Sequence, residues 1–298
     1  MTEAAVTSGS RRFRVVQFEF PWELGPQDGR YTIREHLGEA PGHVLVLRTL
    51  GAPERRLLAA RRARARLVQA PPDPPAEPVV TSRATLVDTA ALDGYESAAR
   101  WLADADVGAL AHEALARLNR VLHAHRIAAA DPRARDVALR QALVVRVGFG
   151  DGERVAEGRW ERARELPRQA AGGLLRARAG ALRPQERLAA LLAGRDAALA
   201  CEELTLRARL DVEAERWREA ALGLRVALET AIAELEPWRD APGLAQRLEE
   251  LRGRRRDVAA AAAAALQGGL DDEQIALVEA ALGRVEAALR ARVATGGW

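Results

Sequence analysis

The chain contains no lysine: all 45 of its basic side chains are arginine. No lysine Schiff base can form, and neither the phosphate-loop lysine nor the kinase-type lysine is present. Serine occurs only at Ser8, Ser10, Ser82 and Ser97. None lies within G-x-S-x-G, which argues against a serine hydrolase of that kind. The lone cysteine, Cys201, excludes an intramolecular disulfide and fits a reduced, cytoplasmic setting. The five histidines are scattered, and His123 and His125, two apart on a helix, point to different faces. None follows residue 125, so a Glu-x-x-His metal site on the later helices is absent. No metal and no cofactor is therefore expected. The longest apolar run, Val258 to Leu266, falls far short of the roughly 20 residues that cross a bilayer. Met1 to Ser10 lacks the apolar core of a secretory signal. A soluble chain with no membrane partner is the expectation.

What is abundant is alanine, leucine and arginine. With 298 residues and 48% apolar content the chain can bury a sizeable core. Only 4% of it is aromatic, which favours closely packed helices over a β-sandwich. A coding bias toward GC-rich codons is the ordinary explanation for arginine in place of lysine, and selection against a reactive amine is the alternative. Net charge is +3, divided unevenly: residues 1–180 hold 28 arginines and 22 acids, residues 181–298 hold 17 and 20. That asymmetry only hints at an acidic partner for the first half.

The first half reads as a small α+β domain over residues 13–175, after a disordered tail at 1–12. Along Arg14 to Trp22, Val16, Phe18, Phe20 and Trp22 alternate with Val15, Gln17 and Glu19, a strand with two unlike faces. Pro21 suggests that this end sits at a sheet edge. Gly25-Pro26 and Asp28-Gly29 are turn signals, so Tyr31 to Glu35 should return as a second strand. His43 to Thr49 is a third, apolar enough for a more central place. A basic run (Arg55, Arg56, Arg61, Arg62, Arg64, Arg66) and Pro71-Pro72-Asp73-Pro74-Pro75 make 53–78 an insertion expected to be disordered. Val79 to Thr89 resumes the sheet. Helices are expected at Tyr95–Ala103 and Val107–Ile127, with another helical turn at Asp131-Pro132. Ala142 to Phe149 is strongly β, and Asp151-Gly152 predicts a tight hairpin whose second arm is Arg154 to Trp160. From Glu161 onward helix is expected, with the junction near 170–182.

The second half, 183–293, reads as an extended antiparallel three-helix, coiled-coil-like bundle. Pro184 and Pro237 bound one long helix. On it Leu192, Leu199 and Leu206 fall seven apart, as do Leu210, Trp217 and Leu224, and Ala221, Leu228 and Leu235. Such a helix would span about 80 Å. Leu244 to Val258 starts a second helix ending at Gly268-Gly269, and Asp271-Asp272-Glu273 opens a third carrying Ile275, Val278, Leu282, Val285 and Leu289. These are less than half the length of the first, so the first must bend at Gly194 or Gly223, or leave part of its seam for another surface. Leu192, Leu199, Leu206 and Leu210 are the candidate partner-binding residues.

The remaining patterns favour ordinary roles. Gly148-Phe-Gly150-Asp-Gly152 has Glu153 where a phosphate-binding G-x-G-x-x-G needs glycine, so a turn is the better reading. Glu202, Glu203, Asp211, Glu213 and Glu215 alternate with arginines and suggest a solvated, salt-bridged face rather than a paired acid and base. The expected function is non-catalytic: an assembly or adaptor protein, or a homo-oligomer, held together by its helical domain. Nucleic-acid binding is the alternative, through Arg55, Arg56, Arg61, Arg62, Arg64 and Arg66 and through Arg254, Arg255 and Arg256. These clusters lack interleaved aromatics. An enzyme built on acids and arginines alone is the third reading.

Overall fold

The computed structural model describes residues 11–35, 38–51, 79–167 and 184–294. Two compact units make up the chain, residues 1–170 and residues 171–298. The expected insertion at 53–78, with its six arginines, and the junction at 170–182 lie outside the described residues, as does all of the expected tail but its last two residues. Arg12 already belongs to the first strand.

In the first unit, six strands form one antiparallel sheet: β1 (Arg12–Phe20), β2 (Gly29–Ile33), β3 (His43–Leu50), β4 (Thr81–Leu92), β5 (Val144–Asp151) and β6 (Arg162–Glu165). Their order is β2-β3-β4-β1-β5-β6. β1 therefore lies inside the sheet, and Pro21 stands just past its end rather than marking an edge strand. α1 (Gly94–Asp104) and α2 (Val107–Ala128) follow β4. Asp106 starts α2 by accepting from the backbone N–H groups of Gly108 and Ala109, both at 3.0 Å.

The alternation along β1 assigns each face a core of its own. Phe18, Phe20, Leu45, Leu47 and Leu86 pack with Leu115, Leu118 and Leu122 of α2. Toward the other end of that face, Val147 and Phe149 meet Ala98 and Leu102 of α1. On the opposite face Val15 and Val87 enclose Val155. Beyond them that face turns polar: Gln17 donates to Thr85 Oγ1 at 2.9 Å, and Arg83 pairs with Glu19 at 2.9 Å.

The hairpin expected at Asp151-Gly152 is not formed. A short helix, α3 (Gly152–Ala156), begins there, and the strand that pairs with β5 is β6, within a segment expected to be helical. Gly148 and Gly150 fit this arrangement. A Cβ on Gly148 would fall 2.7 Å from Ala163 Cβ, and one on Gly150 would fall 2.7 Å from a Val155 methyl. The glycines let β6 and α3 approach the backbone of β5. The helical turn expected at Asp131-Pro132 is a non-helical connection, and a 3-10 turn follows at Leu139–Gln141.

The second unit corrects the long-helix expectation. Residues 184–236 are three helices: α4 (Pro184–Leu192), α5 (Ala200–Glu213) and α6 (Trp217–Glu234). The first break contains Gly194 at φ +67°, and the second contains Glu215 at φ +55°. Arg216 steadies the second break, donating its backbone N–H to the Asp211 carbonyl at 2.8 Å and its Nε to the Asp211 carboxylate at 2.7 Å. Gly223, the other expected bend, sits within α6, and a Cβ there would lie 3.8 Å from that of Ala208. α7 (Leu244–Gln267) and α8 (Asp272–Ala294) are the last two helices among the described residues.

Cross-helix contacts fix the directions. Ala208 meets Gly223 while Cys201 reaches Glu234, so α5 and α6 run antiparallel. Arg255 with Glu229 and Arg218 with the Ala265 carbonyl run α7 antiparallel to α6. Arg209 with Glu286 and Arg292 with Glu202 do the same for α8 and α5. α8 follows α7 through a four-residue turn, and Arg284 on it pairs back with Glu250. The body is thus an up-down bundle of four helices, α5 to α8, not three. The length mismatch disappears, because the excess of the supposed rod folds back as α5.

Candidate interaction surface

The four leucines selected from the heptad pattern do not form a common buried seam. Leu199 precedes α5 and packs partly against the bundle core. Leu192 is 80% exposed, Leu206 66% and Leu210 39%. α5 instead buries Cys201, Thr205, Ala208 and Val212, its small-residue stripe. Small side chains let α5 come close to α6 at Gly223, and that approach turns Leu206 and Leu210 outward. The two leucines lie one helical turn apart, flanked by exposed Glu203, Arg207 and Glu213. The later heptad positions do reach the core: Ala221, Leu224, Leu228 and Leu235 are buried with Leu248, Leu251, Val278, Leu282 and Val285.

The start of α5 is held by charges that the sequence reading missed. Arg187 on α4 donates its Nε to Asp196 at 3.1 Å and a terminal nitrogen to Glu202 at 2.6 Å. Arg292 on α8 faces the same two acids, donating to Asp196 at 2.7 Å and forming an ion pair with Glu202 at 3.5 Å. The result is a closed ring of two cations and two anions. Its Arg292 and Asp196 side chains are each 6% exposed, and the Arg292 guanidinium lies 4.6 Å from the centre of the Trp238 ring. Glu202 also accepts the Leu199 backbone N–H at 3.0 Å, and Glu234 accepts that of Cys201 at 2.9 Å, satisfying donors at the start of α5. Burial works to raise the Asp196 pKa, but the hydrogen bonds from Arg187 and Arg292 outweigh it and hold it below the usual aspartate value. Burial, then the neighbouring Glu234, pushes the Cys201 thiol up to about 12. One signal was available: Arg292 continues the stripe of Val278, Leu282, Val285 and Leu289, so a charged residue stands at a core position.

Of the arginines proposed to meet nucleic acid, Arg254, Arg255 and Arg256 lie on α7. Arg255 pairs with Glu229 at 2.7 Å, and the adjacent Arg252 pairs with Glu236 and Glu249. In the sheet unit, Arg117 and Arg120 of α2 both grip Glu35 beyond the end of β2, at 3.2 and 2.7 Å. Burial, with Arg117 nearby, lowers the pKa of His43 beside them. Among the described residues no cluster of histidine, cysteine and acidic side chains could hold a metal ion, and no helix is long and apolar enough to cross a membrane.

No family model, curated protein or solved structure matches the chain.

Proposed function

We propose that this chain is a non-catalytic assembly or adaptor protein that docks another protein on the outer face of α5. The observation that carries the reading is the exposure of Leu206 and Leu210, one turn apart, on a helix whose opposite stripe is fully packed. Isolated exposed leucines are common on any surface, whereas adjacent ones on one helix face favour contact with a partner. The mixed charges beside them suit the polar rim of such a contact. Phosphate binding by Arg254, Arg255 and Arg256 has less support, because Arg255 is already paired with an acid.

The test combines capture with sedimentation. Replacing both Leu206 and Leu210 by aspartate should abolish capture of whatever the wild-type chain retains, or its self-association, and leave the melting temperature unchanged. If the wild type stays monomeric and retains nothing that the double variant loses, the adaptor reading fails.

A further inference from the structure

We propose that α4 is a displaceable strap, and that the acidic site under its Arg187 accepts an arginine from another polypeptide segment when the strap leaves. This does not depend on a partner at Leu206 and Leu210. The apolar core of the helical unit draws on α5, α6, α7 and α8, and α4 supplies none of its described members. α4 buries one small residue, Ala190, and turns Leu188 (48% exposed) and Leu192 (80%) to solvent. With Ala190 alone fully buried and Leu191 half-buried, α4 gains little from apolar burial, whereas α5, which also exposes leucines, buries four side chains. What Arg187 brings is charge, placed on Asp196 and Glu202. The link to α5, residues 193–199, is non-helical. Gly194 in the left-handed region caps α4, with the backbone N–H groups of Arg195 and Asp196 donating to the Ala190 carbonyl at 2.9 and 3.3 Å. Residues 197–199 make no backbone hydrogen bond to α4 among those of the described residues.

Charge balance identifies the replacement. With Arg187 in place the ring holds two arginines and two carboxylates. Once it leaves, Asp196 and Glu202 face Arg292 alone, and a partly buried carboxylate is uncompensated. The geometry favours a guanidinium over an ammonium. Arg187 presents Nε to one carboxylate and a terminal nitrogen to the other, a span that one planar fork covers and a single ammonium does not. The fitting ligand is an arginine-bearing peptide, and α4 is its built-in competitor.

Hydrogen exchange on the full chain tests the strap. In the wild type, amides of residues 184–192 should exchange well before those of α6, α7 and α8. In Arg187→Ala their protection should fall by about tenfold or more, and by a clearly larger factor than that of α6, α7 and α8. A synthetic peptide with the sequence of residues 184–193 should then bind Arg187→Ala saturably. Replacing its arginine by lysine should weaken binding, and replacing it by alanine should abolish it. Three results would overturn the proposal: residues 184–192 exchanging as slowly as α6, Arg187→Ala lowering protection over α6, α7 and α8 as much as over residues 184–192, or the arginine peptide failing to bind the variant.

Discussion

Replacing Arg292 by methionine should cost the helical unit about 3 kcal/mol, the lower end of the range for breaking a buried ion pair. Methionine keeps much of the arginine stem and its packing near Trp238, so the loss is mainly of charge. Asp196 and Glu202 would then share Arg187 alone, with Asp196 still 6% exposed. Arg187 compensates in part, which is why the lower end is expected. Urea unfolding followed by far-ultraviolet circular dichroism and tryptophan fluorescence reads the effect. At an m-value of about 1–3 kcal/mol/M, the midpoint of the helical unit should fall by about 1–3 M. Hydrogen exchange over α5 to α8 assigns the transition to that unit rather than to the sheet. The control is Arg290→Met, two residues away on α8, where a 54% exposed side chain pairs with Glu286 at 3.8 Å. An exposed pair of this kind contributes under about 0.5 kcal/mol. Adding Asp196→Asn and Glu202→Gln to Arg292→Met should recover part of the loss, since the stranded charges disappear. If Arg292→Met stays within about 1 kcal/mol of wild type, or matches Arg290→Met, the ring is not what fixes the start of α5.

Other expectations follow from single residues. Cys201 is fully buried with its thiol pKa at about 12, so iodoacetamide at pH 8 should leave the native chain unmodified and label it completely in urea; rapid native labelling would contradict the packing. Asp196 has a folded pKa below its unfolded one, so its stabilising contribution is full above the ordinary aspartate value of about 3.9 and is lost as the pH falls through the lower folded value. Asp196→Asn should therefore reduce stability at pH 7 and show a shallower decline between pH 4 and pH 2 than wild type, as followed by urea midpoints across that range. Gly148→Ala should push β6 off β5, because the new methyl would meet the Arg162 carbonyl and Ala163; a cost of about 1–3 kcal/mol is expected for such overpacking, and an unchanged melt would show that β6 yields freely.

Much of the sheet was legible because its strands alternate or are continuously apolar. β1 separates Phe18 and Phe20 from Gln17 and Glu19, and β3 presents Val44 to Leu47, as a strand buried on both faces must. β6 offered neither pattern. Its four residues, Arg162 to Glu165, are all exposed and alternate only in charge and size, so nothing marks them as a strand until β5 is there to pair with them. The Asp151-Gly152 dipeptide misled for a related reason. It begins a helix here as readily as a turn, and the tertiary contact of Val155 with Val15 and Val87 decides between them.

The helical unit shows why the leucine pattern overran its true extent. From Trp217 to Leu235 the heptad spacing and the buried face agree, since that helix meets two ordinary leucine-bearing partners, α7 and α8. Before Trp217 the spacing continues while the physical constraint changes. α5 packs on α6 through its small-residue stripe, and a Cβ on Gly223 would stand in ordinary contact with Ala208, 3.8 Å from its Cβ. Cys201, Thr205, Ala208 and Val212 recur at steps of four, three and four, a second stripe as regular as the leucines but weaker on any hydropathy measure. Periodicity gives the angle between residues and says nothing of how near the neighbouring helix will come. Where two helices nearly touch, the small stripe goes inside and the leucines are left on the surface. Leu206 and Leu210 are therefore the residues at which the strongest sequence signal and the packing of the fold disagree, and functional or strained positions are where such disagreements concentrate.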